Sequence, residues 1–371
     1  MHRSYRQTSV SAASTAALIA TLAAYSGAHA SGDAVKLLEQ SGACIGCDLA
    51  GEDLSGRRLM AADLSGADLR DANLRGAILF RANLSAADLR GAKLEGASLG
   101  RANLSSANLS GIAWQRAKLA HATLIDADLR NSDLREAMLE HADLSGANLS
   151  RSNLEGARLR HTTLDNTHLH EARLKEADLR QLDLRPVASM TRVDLGGARL
   201  DKADLSGVDL SESKLDTAQI NDANLSGTRL VAASLRAAEL RKSNLSDANL
   251  DNADLRNAVL QSVKLQGATL NSTKLDQITL SGNLIGMDFS NSNLRRANLQ
   301  GANLKDARFT NADLRQANLS ACNLYNADFS GADLRSANFT RANLREAKFD
   351  NADLTDARFD DAKGAPQHVA D

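Results

Sequence analysis

From Ala62 to Gly76 the sequence reads ADLSG ADLRD ANLRG. The same five-residue pattern continues from residue 47 to residue 359, with an apolar residue at every fifth position and usually Ala two residues before it. Of 63 such central positions, 54 are Leu and six are Phe, and the others are Trp114, Met190 and Ile220. A period of five matches neither the helix nor the strand, and sustained over this length it is typical of a solenoid.

The five positions also predict which side chains face the core. The central residue and the Ala two before it are consistently apolar, so we expect both inside, whereas the residue before the centre and the two after it are polar. A second period of 20 residues lies over the first, because Arg81, Arg101, His121, His141 and His161 each open a similar block. Twenty residues are four pentapeptides, so the sequence predicts an all-β solenoid with four sides, in which residues 20 apart stack.

These A-[DN]-L-x-x units resemble the pentapeptide-repeat family over about residues 47–359. The resemblance implies a right-handed quadrilateral β-helix, here of about 16 coils, and a stacking distance of ~4.8 Å makes the rod roughly 75 Å long. The frame slips twice, since six residues separate Leu184 from Met190 and four separate Leu280 from Leu284. We predict a bulged corner at Pro186 and a tightened corner at Gly282, with the four sides in phase beyond both.

The chain divides into four predicted segments: a signal peptide (1–30), an N-terminal cap (31–47), the β-helix (48–362) and a C-terminal tail (363–371). In the first, Arg3 and Arg6 precede an apolar run, and Ala28-His29-Ala30 is a small-x-small motif that predicts cleavage between Ala30 and Ser31. We therefore expect a periplasmic or secreted protein. The alternatives for this segment are an uncleaved leader or a weak anchor.

The cap is predicted to contain a short helix between residues 31 and 43, which covers the open end of the solenoid. We expect Asp33 to cap the helix, Val35 and Leu38 to pack on the first coil and Gly42 to end the helix.

Cys44 and Cys47 form a C-x-x-C motif, and the repeat frame places both in the first coil. A metal site needs about four ligands and a thioredoxin-like site needs a βαβ unit, and the surrounding sequence offers neither. In an exported protein we expect a disulfide that fastens the cap to the first coil. The resemblance supports this, because exported family members have a similar C-x-x-C-D-L start. Cys322 occupies an Ala position and is expected to be a small buried residue.

Stacking predicts that His121, His141 and His161 form one outward column. Neighbouring imidazoles could share a zinc or copper ion, so the column is a candidate metal site. The alternative is that coil duplication alone produced it. Arg81 and Arg101 occupy the same column and would repel a cation.

The repeated Asp and Asn residues are interpreted as turn-stabilising groups, because a catalytic pair would break the pattern. The repeat fills its own axis, and the sequence has no Ser-His-Asp order, phosphate loop or HExxH motif. We therefore predict no enzymatic activity and no cofactor. Trp114 and a ladder of Phe residues, whose members share one side of the C-terminal coils, are expected in the core: Phe289, Phe309, Phe329 and Phe349.

The formal charge is −2, or −4 without residues 1–30, and aromatic residues are only 3%. This argues against general binding to nucleic acid or anionic membranes. We predict a non-enzymatic, exported rod that binds a protein or an envelope component. The resemblance also implies a homodimer through the C-terminal coils. The alternatives are a DNA-mimic inhibitor of DNA gyrase, which export and the mixed charge disfavour, and metal binding by the His column.

Overall fold

A computed structural model describes residues 31–366, in which the pentapeptides wind into one stack of coils. The residue before most centres pairs in parallel with its counterpart one coil away, from Ala43 with Asp63 to Asn343 with Lys363. The partners are 20 residues apart over most of the chain, which confirms four pentapeptides per coil. We label the sides A, B, C and D by four successive centres of one coil: Leu144, Leu149, Leu154 and Leu159.

Each corner is closed by a β-turn. The N–H of Ala147 donates to the carbonyl of Leu144 at 2.9 Å, and the N–H of Leu144 donates to Thr163 of the next coil at 2.9 Å. The residue two after the centre has a positive φ at every corner except that of Pro186, and this φ lies between 54° and 62° wherever the residue is not Gly. Such a conformation costs roughly 1–2 kcal/mol for most residues. The ladder of bonds between coils enforces it even on Arg, His and Glu.

Regular secondary structure is scarce in the described residues. The helix α1 spans Ser31–Ser41, and the strands β1 (Val259–Lys264) and β2 (Thr279–Asn283) pair in parallel. Elsewhere each side pairs through a single residue, because the turns occupy most of every pentapeptide.

Both frame slips lie where the sequence predicts them. Pairs across the first slip are 21 residues apart, as in His168 with Ser189, and pairs across the second are 19 apart, as in Lys274 with Asn293. The carbonyl of Pro186 accepts a hydrogen bond from the N–H of Asn166 at 2.7 Å, so the proline serves where no donor is needed. The four sides therefore stay in phase along the rod.

The helix α1 packs Ala34 and Leu38 into the core, with Val35 half-buried beside them. Gly42 ends the helix as expected, since its N–H donates to the carbonyl of Leu38 at 2.9 Å and its φ is +70°. The predicted capping role of Asp33 is wrong. The helix begins two residues earlier, so Asp33 lies in its first turn and pairs with Lys36 at 3.6 Å.

Trp114 is buried as predicted, but it disturbs the ladder on side C. Its Nε1 is buried without a hydrogen-bond partner. Within residues 31–366, the expected pair between residues 93 and 113 is missing, and the N–H groups of Leu94 and Gly96 find no backbone acceptor. We attribute the missing pair to the indole, which is larger than the Leu that occupies most centres.

We expect Trp114→Leu to change the free energy of unfolding by less than about 1 kcal/mol, although truncating a buried aromatic residue generally costs about 3–5 kcal/mol. The two coils can close on the smaller side chain and recover the missing hydrogen bonds. Hydrogen exchange at the amides of Leu94 and Gly96 should therefore slow. A loss of several kcal/mol with unchanged exchange would contradict this explanation.

Candidate functional site

The outward Asp and Asn residues before each centre bind the turn that follows them. The N–H of Ser145 donates to Oδ1 of Asp143 at 3.0 Å, and the N–H of Ser150 donates to Oδ1 of Asn148 at 3.1 Å. This contact recurs along the rod and confirms the turn-stabilising role predicted for these residues. The repeated carboxylates are therefore part of the scaffold.

Wherever the sequence reads D-L-R, the Arg side chain also donates hydrogen bonds to the carboxylate of the Asp before the centre. In one such pair, Arg130 donates from Nε to Oδ1 of Asp128 at 2.8 Å and from Nη2 to Oδ2 at 2.6 Å. The Arg residues that make this two-pronged contact are Arg70, Arg90, Arg130, Arg135, Arg180, Arg185, Arg256, Arg315 and Arg335. Their positive charge is therefore largely neutralised by the Asp residues of the same repeats.

These contacts lower the pKa of the carboxyl groups. The side-chain hydrogen bond from Arg70 holds the pKa of Asp68 below its ordinary value, and Arg315 does the same for Asp313, although partial burial opposes both shifts.

We therefore expect the melting temperature to be nearly constant from pH 7 to pH 5 and to fall below about pH 4. A carboxyl group with a lowered folded-state pKa contributes fully above its unfolded pKa, and the contribution is lost as the pH falls through the folded value. Thermal melts from pH 7 to pH 2 test this. The double variant Asp68→Asn, Asp313→Asn should show a shallower decline, and a decline identical to that of the wild type would contradict the assignment.

The three histidines form the outward column that the sequence predicts. His121 and His141 stack with ring centroids 4.7 Å apart and planes at 3°, and His141 and His161 stack at 4.8 Å and 12°. All three are exposed and occupy the positive-φ corner between sides D and A, in line with Arg81 and Arg101.

Metal binding by this column stays a prediction. A zinc ion lies in the plane of each imidazole that binds it, in line with the nitrogen lone pair, so parallel stacked rings must tilt before two can share one ion. Within residues 31–366, no group of three or more His, Cys, Asp or Glu side chains is arranged to hold a metal ion. Calorimetric titration with zinc and copper tests this prediction, and the absence of binding tighter than micromolar would contradict it.

The sulfur atoms of Cys44 and Cys47 are bonded to each other, with Cα atoms 5.4 Å apart. Both residues are buried, and Sγ of Cys44 lies 3.5 Å from the carbonyl oxygen of Ala34 in α1. The disulfide thus sits where the cap meets the first coil. Cys322 is also buried, and desolvation raises the pKa of its thiol to about 12, so it is not a reactive group.

Of the predicted Phe ladder, Phe289, Phe309 and Phe329 are fully buried in the core of the C-terminal coils, whereas Phe349 in the last coil is half-buried. Rings on side B stack at 5.1, 4.9 and 5.2 Å in the order Phe289, Phe309, Phe329, Phe349. Phe339 of the opposite side meets Phe329 edge-on at 5.6 Å. The ladder is packing and offers no binding site.

The sequence did not predict a cavity of about 270 Å³ between α1 and the first coil. Apolar and charged side chains both line it, and two of the lining residues, Arg57 and Glu39, form an ion pair. The lining residues are Leu38, Glu39, Gly42, Arg57, Arg58, Leu59, Met60 and Ala62. We attribute the cavity to the difference in shape between a round helix and the flat end of a coil. No sequence pattern predicts this difference. In residues 31–366 no helix has the length and apolar character needed to cross a bilayer.

Comparison with known proteins supports the repeat assignment. The family model described as pentapeptide repeats (8 copies) matches overlapping stretches across most of the chain. The matched residues are 43–76, 82–112, 115–151, 152–185, 188–230, 218–257, 243–282, 283–311, 302–341 and 322–361. No curated protein matched the sequence.

Several solved structures are similar to the chain. QnrB1, a plasmid-mediated fluoroquinolone resistance protein, is 20% identical, with 50% of this chain and 90% of that chain covered and a TM-score of 0.36. HetL, from the cyanobacterium Nostoc sp. and involved in heterocyst differentiation regulation, is 24% identical, covers 85% of this chain and 88% of its own, and has a TM-score of 0.20. A pentapeptide repeat protein from the cyanobacterium Cyanothece is 26% identical, with 37% and 97% covered and a TM-score of 0.21. TM-scores this low carry no argument about function.

Proposed function

The chain belongs to the pentapeptide-repeat family, and on that premise we propose that it is a non-enzymatic rod that binds a partner through its outer surface. Proteins of this family fold as right-handed quadrilateral β-helices and generally serve structural or interaction roles. We take this rod to comprise about 16 coils, at four pentapeptides per coil.

The observation that carries the proposal is the filled interior. From side to side the axis is occupied by Leu, Phe and Ala, and nearly all of these side chains are fully buried. The repeated Asp residues before the centres accept hydrogen bonds from the turns that follow them. What remains for recognition is the regular outer surface, which suits an extended partner better than a small substrate.

We further propose that the rod acts in the periplasm or outside the cell. The composition of residues 1–30 supports this, although that segment lies outside the described residues. The disulfide between Cys44 and Cys47 supports it as well, because such bonds persist in oxidising compartments.

A homodimer through the C-terminal coils is the second element of the proposal. Side chains that would be buried inside the stack are only half-buried in the last coil, namely Phe349, Ala352, Leu354, Phe359 and Ala362. An apolar end of this kind is suited to pack against a second copy.

Photo-cross-linking in cells tests both elements, with the probe placed at position 141 on the His column and at position 356 near the C-terminal end. We expect one discrete adduct with a different molecule at 141 and a self-adduct at 356. The absence of any adduct at both positions would leave the interaction role without support on these surfaces.

A further inference from the structure

One side of the N-terminal coils carries a charge that the composition of the whole chain conceals. We call it the basic edge: the outward residues of side D and of the corner between sides D and A, in residues 58–161. Besides the three histidines, it carries six cationic residues and a single acid, Glu140. The cationic residues are Arg58, Arg81, Arg101, Lys118, Arg158 and Arg160. The protein as a whole has a formal charge of −2, so the edge is opposite in sign to the chain that contains it.

Most of these cations have no acidic partner, unlike the Arg residues of the D-L-R units. Among residues 31–366, only Arg158 of the six lies within ion-pair distance of a carboxylate, that of Glu140 at 3.8 Å. Arg160 has a buried Nε without a hydrogen-bond partner. The charge of the basic edge is therefore free to meet an anionic partner.

The basic edge also exposes apolar side chains between its cations. Met60 is 53% exposed, and Ile78, Phe80 and Met138 are half-buried at outward positions that the repeat usually fills with polar residues. Over the same coils, the outward positions of the other three sides carry a single large apolar residue, Ile125. Positive charge and exposed apolar surface thus occur together on this one side.

The backbone of side D is a continuous ladder along this edge. Coil pairs with coil without a break from Arg58 with Ile78 to Arg158 with Asp178, so no open strand edge is left for an extended peptide to join. The side chains along the ladder follow no repeat, since they read Arg58, Ile78, Ser98, Lys118, Met138, Arg158. A polymer of fixed repeat cannot match this order, whereas the lipids of a fluid bilayer rearrange around it.

The aromatic rings of the edge are poorly placed to bind nucleic acid. A base inserted between two rings needs them about 6.8 Å apart, twice the ~3.4 Å rise per base. The rings of His121, His141 and His161 lie only 4.7–4.8 Å apart, so a base could reach only the two outer faces of the column. The guanidinium of Arg81 lies over the ring of Phe80, 5.4 Å from its centroid. Single strands bind by stacking successive bases on several open rings, and this edge does not offer them.

We propose that the basic edge binds the surface of an anionic lipid bilayer. Peripheral proteins do this through apolar side chains that enter the surface and cations that meet the anionic headgroups. The edge extends over six coils, or about 24 Å at ~4.8 Å per step, so the N-terminal part of the rod would lie along the membrane. This inference rests on the proposed function, because it names the chemistry of the partner that the rod would bind.

The test is the binding of the full-length protein to lipid vesicles at low ionic strength, measured by co-sedimentation. Vesicles of phosphatidylcholine and phosphatidylglycerol in equal parts should bind the wild type about tenfold more tightly than vesicles of phosphatidylcholine alone. All variants are compared in the same full-length chain, so any contribution from residues 1–30 cancels.

The double variant Arg81→Asn, Arg101→Asn removes two unpaired cations and should bind the anionic vesicles about tenfold more weakly. Its matched control is Arg151→Asn, Arg192→Asn, which removes the same charge from the corner between sides B and C, diagonally across the rod. Both control residues are paired with glutamates, and the control should change the affinity less than about twofold. Asn suits the positive φ at all four positions, so folding should be preserved, and thermal melts check this.

The variant Met60→Gln tests the apolar part of the proposal without changing the charge. It should bind the anionic vesicles about threefold more weakly, because an apolar side chain that enters the bilayer is lost. The control Ile285→Gln replaces a residue of similar exposure, 46%, on side A of the C-terminal half. This control should leave the binding unchanged.

The inference is overturned if the wild type does not prefer anionic vesicles, if the two Arg double variants bind them equally well, or if Met60→Gln binds no more weakly than Ile285→Gln. It is also overturned if duplex or single-stranded DNA displaces the protein from the vesicles at matched charge. If the vesicles fail while the probe at position 141 captures a protein, the lipid inference falls and the proposed function stands. If neither vesicle binding nor any adduct is found, both fall.

Discussion

Replacing Phe329 by Ala should lower the free energy of unfolding by about 3–5 kcal/mol. The ring is fully buried, stacks between Phe309 at 4.9 Å and Phe349 at 5.2 Å, and meets Phe339 edge-on. The closed coils cannot collapse around the space it leaves, because hydrogen bonds between coils fix the spacing on every side. Urea denaturation monitored by circular dichroism measures the loss.

Phe359→Ala is the matched control, since this ring lies in the last coil and is only half-buried. We expect it to cost clearly less than Phe329→Ala. Equal costs for the two variants would mean that the ladder is not closely packed.

The substitution Gly282→Ala should cost about 3 kcal/mol or more, because two penalties add. The φ of Gly282 is +127°, a conformation that is essentially restricted to Gly. A Cβ at this position would also lie 2.9 Å from the carbonyl oxygen of Val263, a backbone atom that cannot turn aside. This is the tightened corner at which β1 and β2 pair irregularly.

Gly301 provides the control, because it occupies the same corner one coil further on. Its φ is +71° and a Cβ there meets nothing within 4 Å. Gly301→Ala should therefore cost only about 1–2 kcal/mol, the usual penalty for a left-handed residue. If the two substitutions shift the melting temperature equally, the strain at Gly282 is not real.

The repeat predicted the fold to the level of single residues. The period of five separated inward from outward positions, the period of 20 aligned the histidines and the Phe rings, and the two slips at Pro186 and Gly282 appeared in the pairing. This was possible because each coil contacts only its neighbours, so the repeated local pattern determines the structure of the whole stack.

The structural features that the sequence did not predict depend on contacts between unlike elements. The boundary of α1, and so the place of Asp33 in its first turn, is decided by how the helix packs on the end coil. The cavity beneath the helix has the same origin. The missing pair beside Trp114 could be predicted only by knowing that an indole exceeds the space left between two coils.

The basic edge was also missed, for another reason: among residues 58–161, the outward positions of side D and of the corner between sides D and A include Arg58, Arg81, Arg101, Lys118, Arg158 and Arg160. A net charge averages over four sides, and the D-L-R units on other sides bind their own Asp residues. Only when the charges are sorted by side, and the paired Arg residues are set aside, do Arg81 and Arg101 stand out.

If one side of the rod recognises a partner, cross-linking around a single coil should reveal which side it is. Its four corner residues are Asp126, Asn131, Glu136 and His141, and all have a φ of 57–60°. A photo-reactive probe at each position in turn samples four directions from the same scaffold, in cells and at equal expression. We expect one discrete adduct with a different molecule from position 141 and none from positions 126 and 131. Equal labelling from all four corners, or none from any, would contradict it.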